Sequence, residues 1–400
     1  MKVSHFLLLV CGFCGFKCEV NGEDKPNTVD VVHYPLRVQK HFYTSIFYIG
    51  TPPKRFELAF DITSAVLWVY DNDEQSSTEG PASGSAEGSG VQIYKASQSN
   101  TSEFVGDIAS SNMLLETIDL DLYRDLVVHE NQSLGRLLFG TIEYDPQLNL
   151  YVPFDGIFGI DRFLLDNMTT WPQGEMLHSG SKVFTLYTPH IHEENSNQTI
   201  EISPIDAMLT VGEPKVLPNC AKEWTRLPMT VINSSHGFFD FKLNRSQFGD
   251  QNVAYPSNAV FSFSTLTSYI TVDSRYFALL KQQLGVRNET TRFGRPKLFV
   301  NCSRIKDAPS IEFFGQNGER FVVPPTSYIR RCGFSGRCVL RVRENLADFR
   351  NRWVLGSPFF YEYCIQFRYD NNTVGIAEAV HKSEELKPEP LRFMFPKSSS

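Results

Sequence analysis

Two segments of the chain place polar side chains between apolar runs in the same order, about two hundred residues apart. Residues 60–69 read Phe-Asp-Ile-Thr-Ser-Ala-Val-Leu-Trp-Val, and residues 260–270 read Val-Phe-Ser-Phe-Ser-Thr-Leu-Thr-Ser-Tyr-Ile. The first offers a carboxylate, Asp61, of a type that serves as general acid or base. The second offers hydroxyls only, at Ser264, Thr265, Thr267 and Ser268. A serine becomes a nucleophile when a base stands beside it, and no His or Asp shares the Ser264 loop. None of the nine histidines stands in a recognisable triad context. His190 and His192 form a His-X-His pair, which can bind metal. Such a pair is more often loop polarity, and neither a metal nor a cofactor is expected.

The elements that must position these residues read as strands. The chain has 400 residues, 42% of them hydrophobic, with 32 phenylalanines. One hydrophobic core rarely grows past about 250–300 residues, so two domains are expected. Apolar, β-branched and aromatic runs predict strands at 42–49, 56–62, 65–70, 113–121, 125–128, 183–187, 207–211, 238–243, 259–263, 297–300 and 339–342. Gly50-Thr51-Pro52-Pro53 is turn chemistry between the first two. Residues 71–90, rich in Ser, Gly, Glu and Ala, predict an exposed loop, and the best helix runs from Ser274 to Leu284. Many short strands with regular turns indicate an all-β protein.

The first eighteen residues resemble a secretory signal, with Lys2 ahead of an apolar stretch from Phe6 to Phe16 and cleavage expected between residues 14 and 22. That stretch falls short of the roughly 20 apolar residues a membrane span needs. Nine Asn-X-Ser/Thr sequons start at Asn100, Asn131, Asn167, Asn197, Asn233, Asn244, Asn288, Asn301 and Asn371, so a secreted glycoprotein is expected. The net charge of -7 and the lack of a basic phosphate-binding stripe argue against nucleic acid. Cys220, Cys302, Cys332, Cys338 and Cys364 follow the signal, with Cys18 depending on the cleavage site. Outside the cell these should pair. Five is odd, leaving one thiol free, buried or intermolecular unless Cys18 survives.

Longer stretches carry a family resemblance. Ile49-Gly50-Thr51-Pro52-Pro53-Lys54-Arg55-Phe56 resembles the entry to the first catalytic loop of pepsin-like aspartic proteases. Phe154-Asp155-Gly156-Ile157-Phe158-Gly159-Ile160 resembles their Phe-Asp-Gly-Ile-Leu-Gly segment. Trp353-Val354-Leu355-Gly356-Ser357-Pro358-Phe359-Phe360 resembles their Trp-Ile-Leu-Gly-Asp-Pro-Phe, and Thr373-Val374-Gly375-Ile376-Ala377 their final strand. Order and spacing match across residues 40–380. The resemblance implies a bilobal acid-protease fold, two β-barrel-like lobes around a cleft. Residues 19–185 would form the N-terminal lobe and 186–382 the C-terminal lobe, followed by a polar tail, 383–400. It also implies a Cys302–Cys338 disulfide and a second pair, Cys220–Cys364, seen in some secreted members, nematode ones among them. Cys332 is then left over. The protein is expected as a monomer, or as a dimer linked through Cys332.

The same resemblance implies a degenerate site. The family's chemistry needs two carboxylates about 3 Å apart, one ionised and one protonated. Here the loops read Asp61-Ile62-Thr63-Ser64 and Ser264-Thr265-Leu266-Thr267, so Ser264 stands where the second aspartate belongs. Thr63 and Leu266 replace the loop glycines, and Ile62 replaces a cross-bonding threonine whose counterpart, Thr265, remains. Ser64 and Thr267 are retained and expected to order the loops. Without a like-charged twin, Asp61 is expected to titrate near about 3.9. The flap tyrosine is missing, its stretch being placed near Phe104. Only about twenty residues, few of them basic, separate the signal from the first strand, so no blocking pro-segment is expected. Asp61 is read as held by loop hydrogen bonds. The implied function is a pseudoprotease that binds an extracellular peptide or protein; the alternative is an atypical aspartic endopeptidase using Asp61.

Overall fold

The computed structural model describes residues 31–381 apart from 40–41, 65, 72–90, 114–115, 130–131, 144–153, 161–181, 190–206, 231–238, 257, 291–295, 332–336 and 346–351. The expected signal, the loop beyond Asp71, the polar tail, His190, His192, Cys332 and the sequons at Asn131, Asn167, Asn197 and Asn233 lie outside the described residues.

Runs of β-branched and aromatic residues form strands almost throughout, several of them buried on both faces. The N-terminal half contains β1 (Val32–Gln39), β2 (Phe42–Ile49), β3 (Lys54–Asp61), β4 (Leu67–Asp71), β5 (Glu103–Met113), β6 (Glu116–His129), β7 (Gln132–Glu143) and β8 (Gly156–Gly159). Then come β9 (Val183–Tyr187), β10 (Ala207–Val211), β11 (Thr225–Pro228), β12 (Arg245–Phe248), β13 (Gln251–Ala254), β14 (Val260–Phe263) and β15 (Ile270–Val272). After helix α1 (Ser274–Leu284) follow β16 (Arg287–Thr290), β17 (Pro296–Asn301), β18 (Ile311–Phe314), β19 (Arg320–Val323), β20 (Ile329–Arg331), β21 (Arg337–Leu340), β22 (Val342–Glu344), β23 (Arg352–Leu355), β24 (Tyr363–Arg368) and β25 (Thr373–Glu378). The protein is all-β, with the bilobal acid-protease architecture. No helix among the described residues is long and apolar enough to cross a membrane.

A thirteen-stranded sheet joins the halves, ordered β11-β25-β24-β9-β10-β1-β2-β3-β8-β4-β7-β6-β5. Its pivot is β1, whose Val32–Leu36 pairs with β10 and whose Arg37–Gln39 pairs with β2. The cysteine pairs bonded are Cys220–Cys364 and Cys302–Cys338. Helix α1 starts where the Asp273 carboxylate accepts from Tyr276 N and ends on Gly285 in the left-handed region, burying Tyr276, Phe277, Leu280 and Leu284.

The sequence echo is a structural duplication. In the first half β3 pairs parallel with β8, β8 antiparallel with β4, and β4 parallel with β7. In the second, β14 pairs parallel with β23, β23 antiparallel with β15, and β15 parallel with β22. Each unit sets a glycine against the backbone of its own loop. A β-carbon on Gly159 would meet Ser64 O at 2.3 Å and Val66 O at 2.6 Å; one on Gly356 would meet Thr267 O at 2.4 Å and Tyr269 O at 2.5 Å. We predict that Gly356→Ala lowers stability by about 1–3 kcal/mol, since the clash is with backbone and overpacking costs that order. Denaturant unfolding checks this; a loss under about 1 kcal/mol would contradict it.

Candidate active site

Asp61 ends β3 and is 4% exposed. Its Oδ1 accepts from Thr63 N at 2.8 Å and from Thr63 Oγ1 at 2.7 Å. Burial pushes the carboxyl up to about 6, and the two Thr63 donors oppose that rise. The expectation of an ordinary aspartate value considered only the missing twin; desolvation supplies the shift instead.

Ser264 follows β14, and its N–H donates to Leu355 O at 3.1 Å. Beside it, Thr265 is fully buried and reaches into the other half. Its Oγ1 donates to Phe60 O at 2.7 Å and accepts from Ile62 N at 3.3 Å, so one hydroxyl bonds both residues flanking Asp61. Ile62 cannot reciprocate, and its side chain is buried in the main core. Ser64 Oγ accepts from Val66 N at 3.3 Å, and Thr267 Oγ1 accepts from Tyr269 N at 3.3 Å, the same turn bond on both loops. Leu266 packs against an apolar cluster of the first half that contains Ala59, Val66, Trp68, Leu120 and Phe154. The structure thus joins Phe60 and Ile62, on either side of Asp61, to Thr265, and packs Leu266 on the first half.

Phe104 is corrected. It lies near the start of β5, opposite Tyr123 on β6, and is 59% exposed. β5 and β6 stay paired as far as Met113 and Glu116, nine residues beyond Phe104, so Phe104 stands well inside this long pair of strands. Asp155 is structural, as its Oδ2 accepts from Glu57 N and its Oδ1 from Gln92 N, both at 2.7 Å. Sequence reasoning missed a buried cluster behind the second loop. Arg352 Nη1 donates to Asp240 Oδ1 at 2.9 Å and to Ser262 Oγ at 2.8 Å, and Ser262 Oγ also donates to Asp240. Burial pushes the Asp240 carboxyl up, opposed by the Arg352 charge. Residues 240, 262 and 352 share no local motif, so no signal in the sequence joins them. Among the described residues no group of three or more His, Cys, Asp or Glu is placed to hold a metal.

Two strand–loop–strand units of one design, meeting at their loops across a bilobal β fold, define the pepsin-like aspartic protease class. The eukaryotic aspartyl protease family matches residues 42–379, and the chain belongs to that family. It is 27% identical to human gastricsin (Homo sapiens) over 367 residues, covering 88% of this chain and 85% of the relative. It is 26% identical to embryonic pepsinogen of Gallus gallus, covering 89% and 85%. Pregnancy-associated glycoprotein 1 of Ovis aries is 25% identical, with 87% and 84% covered.

Asp61 makes stability pH-dependent in a definite direction. Its folded pKa of about 6 lies above the unfolded value of about 3.9, so the folded state binds more protons between the two. Stability is fully present below about pH 4, falls as pH rises, and levels off above about pH 6, by about 3 kcal/mol in total. Asp61→Asn, which keeps an acceptor for Thr63, should match the parent at low pH and exceed it at pH 7. Unfolding curves at both pH values check this; equal stability at pH 7 would mean that burial does not penalise the ionised form.

Proposed function

We propose that this chain is a secreted, catalytically inactive aspartic-protease-like glycoprotein that binds a peptide or protein outside the cell. The observation that supports the reading is that a serine, Ser264, follows β14 at the place in the second unit that Asp61 holds in the first. Acid–base hydrolysis by this fold divides the work between two carboxyls, one activating water and one polarising the scissile carbonyl. A single carboxyl does one of these tasks at a time. Leu266 supports the same reading, because a leucine in place of a glycine brings apolar bulk to the loop and packs it on the first half. Secretion is supported by the signal-like first residues and the two disulfides. Glycosylation is supported by the sequons at Asn100, Asn244, Asn288, Asn301 and Asn371, all exposed. The name of the sheep relative describes a glycoprotein as well.

One observation favours a second reading, an atypical endopeptidase. Asp61, pushed up to about 6, titrates in mild acid, where a general acid or base is useful. Peptide-library cleavage from acid to neutral pH, with Asp61→Ala alongside, separates the readings. No turnover in either protein is expected, together with capture of peptides by the parent chain. Turnover that disappears in Asp61→Ala would overturn the inactive reading.

A further inference from the structure

The four-stranded sheet β16-β17-β21-β20 has one face with no role in the site. Its strands hold five Lys/Arg residues, Arg287, Lys297, Arg330, Arg331 and Arg337, and one acid, Glu289. Arg287 pairs with Phe299, Phe299 with Val339, and Val339 with Arg330, so these four lie in one row on one face. Lys297, two residues from Phe299 on the same strand, shares that face, since side chains alternate with period two. The opposite face is the inner one: Val300, Ile329, Cys338 and Leu340 are buried. The row that contains Arg287 therefore faces outward. Arg287 and Lys297 are exposed, and Phe299 and Val339 are partly so. Glu289, the one acid of these strands, stands opposite Lys297 in the register and shares that face, which leaves the cations in excess there. The turn that follows β17, Cys302–Lys306, adds exposed Arg304 and Lys306 at the end of the sheet, pinned to β21 by the Cys302–Cys338 bond.

This concentration opposes the charge of the rest of the chain. Residues 287–344 contain twelve Lys/Arg and five Asp/Glu, whereas the whole chain is at -7. Such segregation attracts an anionic partner. A protein partner would need apolar or aromatic anchors at the centre of its footprint. Here the apolar side chains of the row, Phe299 and Val339, are only partly exposed, and the exposed large apolar residues among those described, Phe104, Val105, Val216 and Val380, lie elsewhere. Strands about 4.8 Å apart put Arg287 and Arg330, on the two outer strands, about 14 Å from each other at the backbone. Cations spread over that span suit a chain with repeated charges, which needs little shape complementarity.

We propose that this face binds a linear sulfated polysaccharide, with Arg287, Lys297 and Arg330 contacting sulfate groups. The extracellular reading enters only as the place where such chains are met; binding itself is a property of the purified protein. The test is binding of the full, enzymatically deglycosylated chain to immobilised heparin between about 50 and 200 mM salt, where counterion release makes affinity fall with salt. Arg287→Glu/Lys297→Glu should weaken binding about tenfold or more and flatten the salt slope by about two. Its unfolding midpoint should stay unchanged, because both side chains are exposed. Lys215→Glu/Lys222→Glu, an equal change in net charge at exposed positions elsewhere, should leave binding intact. Failure of the parent chain to bind, or equal losses in the two double variants, would overturn the proposal. Equal binding to unsulfated hyaluronan or to poly-glutamate would overturn the sulfate assignment. Neither result bears on cleavage or on secretion, which are measured separately.

Discussion

The two halves are keyed together at the site by one hydroxyl. Thr265 Oγ1 has a single proton to donate and gives it to Phe60 O, while a lone pair receives Ile62 N–H. Those two backbone groups bracket Asp61, so the carboxylate is positioned relative to the second loop through a side chain of that loop. The tie is one-sided, because isoleucine at 62 has nothing to offer in return and turns into the core. A missing reciprocal bond between buried groups costs about 0.5–1.5 kcal/mol, an amount the rest of the interface can absorb. It can do so because β1 runs continuously from β10 to β2, carrying backbone hydrogen bonding from one half into the other.

The electrostatics of the site follow from that arrangement. In a dyad, repulsion between two close carboxylates sets their pKa values apart. Here the rise at Asp61 comes from burial, and the two Thr63 donors oppose it. Thr63 is therefore more than a lost glycine. It supplies both hydrogen bonds to Oδ1, from its amide and from its hydroxyl. Asp61 is held by its own loop, within two residues, with no acid of the second loop required.

Much of the scaffold was legible because its signals are local. Phe42–Ile49, Val183–Tyr187, Ala207–Val211 and Ser274–Leu284 occupy the spans that their apolar patterns predict. The units around residues 61 and 264 were legible as an echo, although their pairing pattern was not. Where the sequence misled, the signal was absent or non-local. β5 and β6 stay paired as far as Met113 and Glu116, and no Gly or Pro between Gly106 and Gly135 punctuates that stretch, so the flap was placed about ten residues early. β6 is continuous from Glu116 to His129, where the apolar runs 113–121 and 125–128 read as two strands. The 238–243 segment reads as a strand, and its described residues, 239–243, form isolated bridges, Met229 to Phe241 and Phe241 to Phe261. The raised pKa of Asp61 and the Asp240–Ser262–Arg352 cluster depend on burial and on contacts across many residues, which no local pattern encodes.

The residues kept at the site share one property: each has a structural task in this fold. Asp61 accepts the bonds that close its loop, Thr265 ties the halves, and Ser64 and Thr267 make matching turn bonds. Gly159 and Gly356 stand where backbone carbonyls leave no room for a β-carbon, a demand that exists whether or not a peptide is ever cleaved. Ser264 contributes its amide to Leu355, a bond that any residue except proline could make. In the second loop that amide bond and the Thr265 and Thr267 hydroxyl bonds form with a serine at 264. Holding the duplicated scaffold together and supplying a second carboxyl are therefore separate demands on the sequence, and only the first is visible in these bonds.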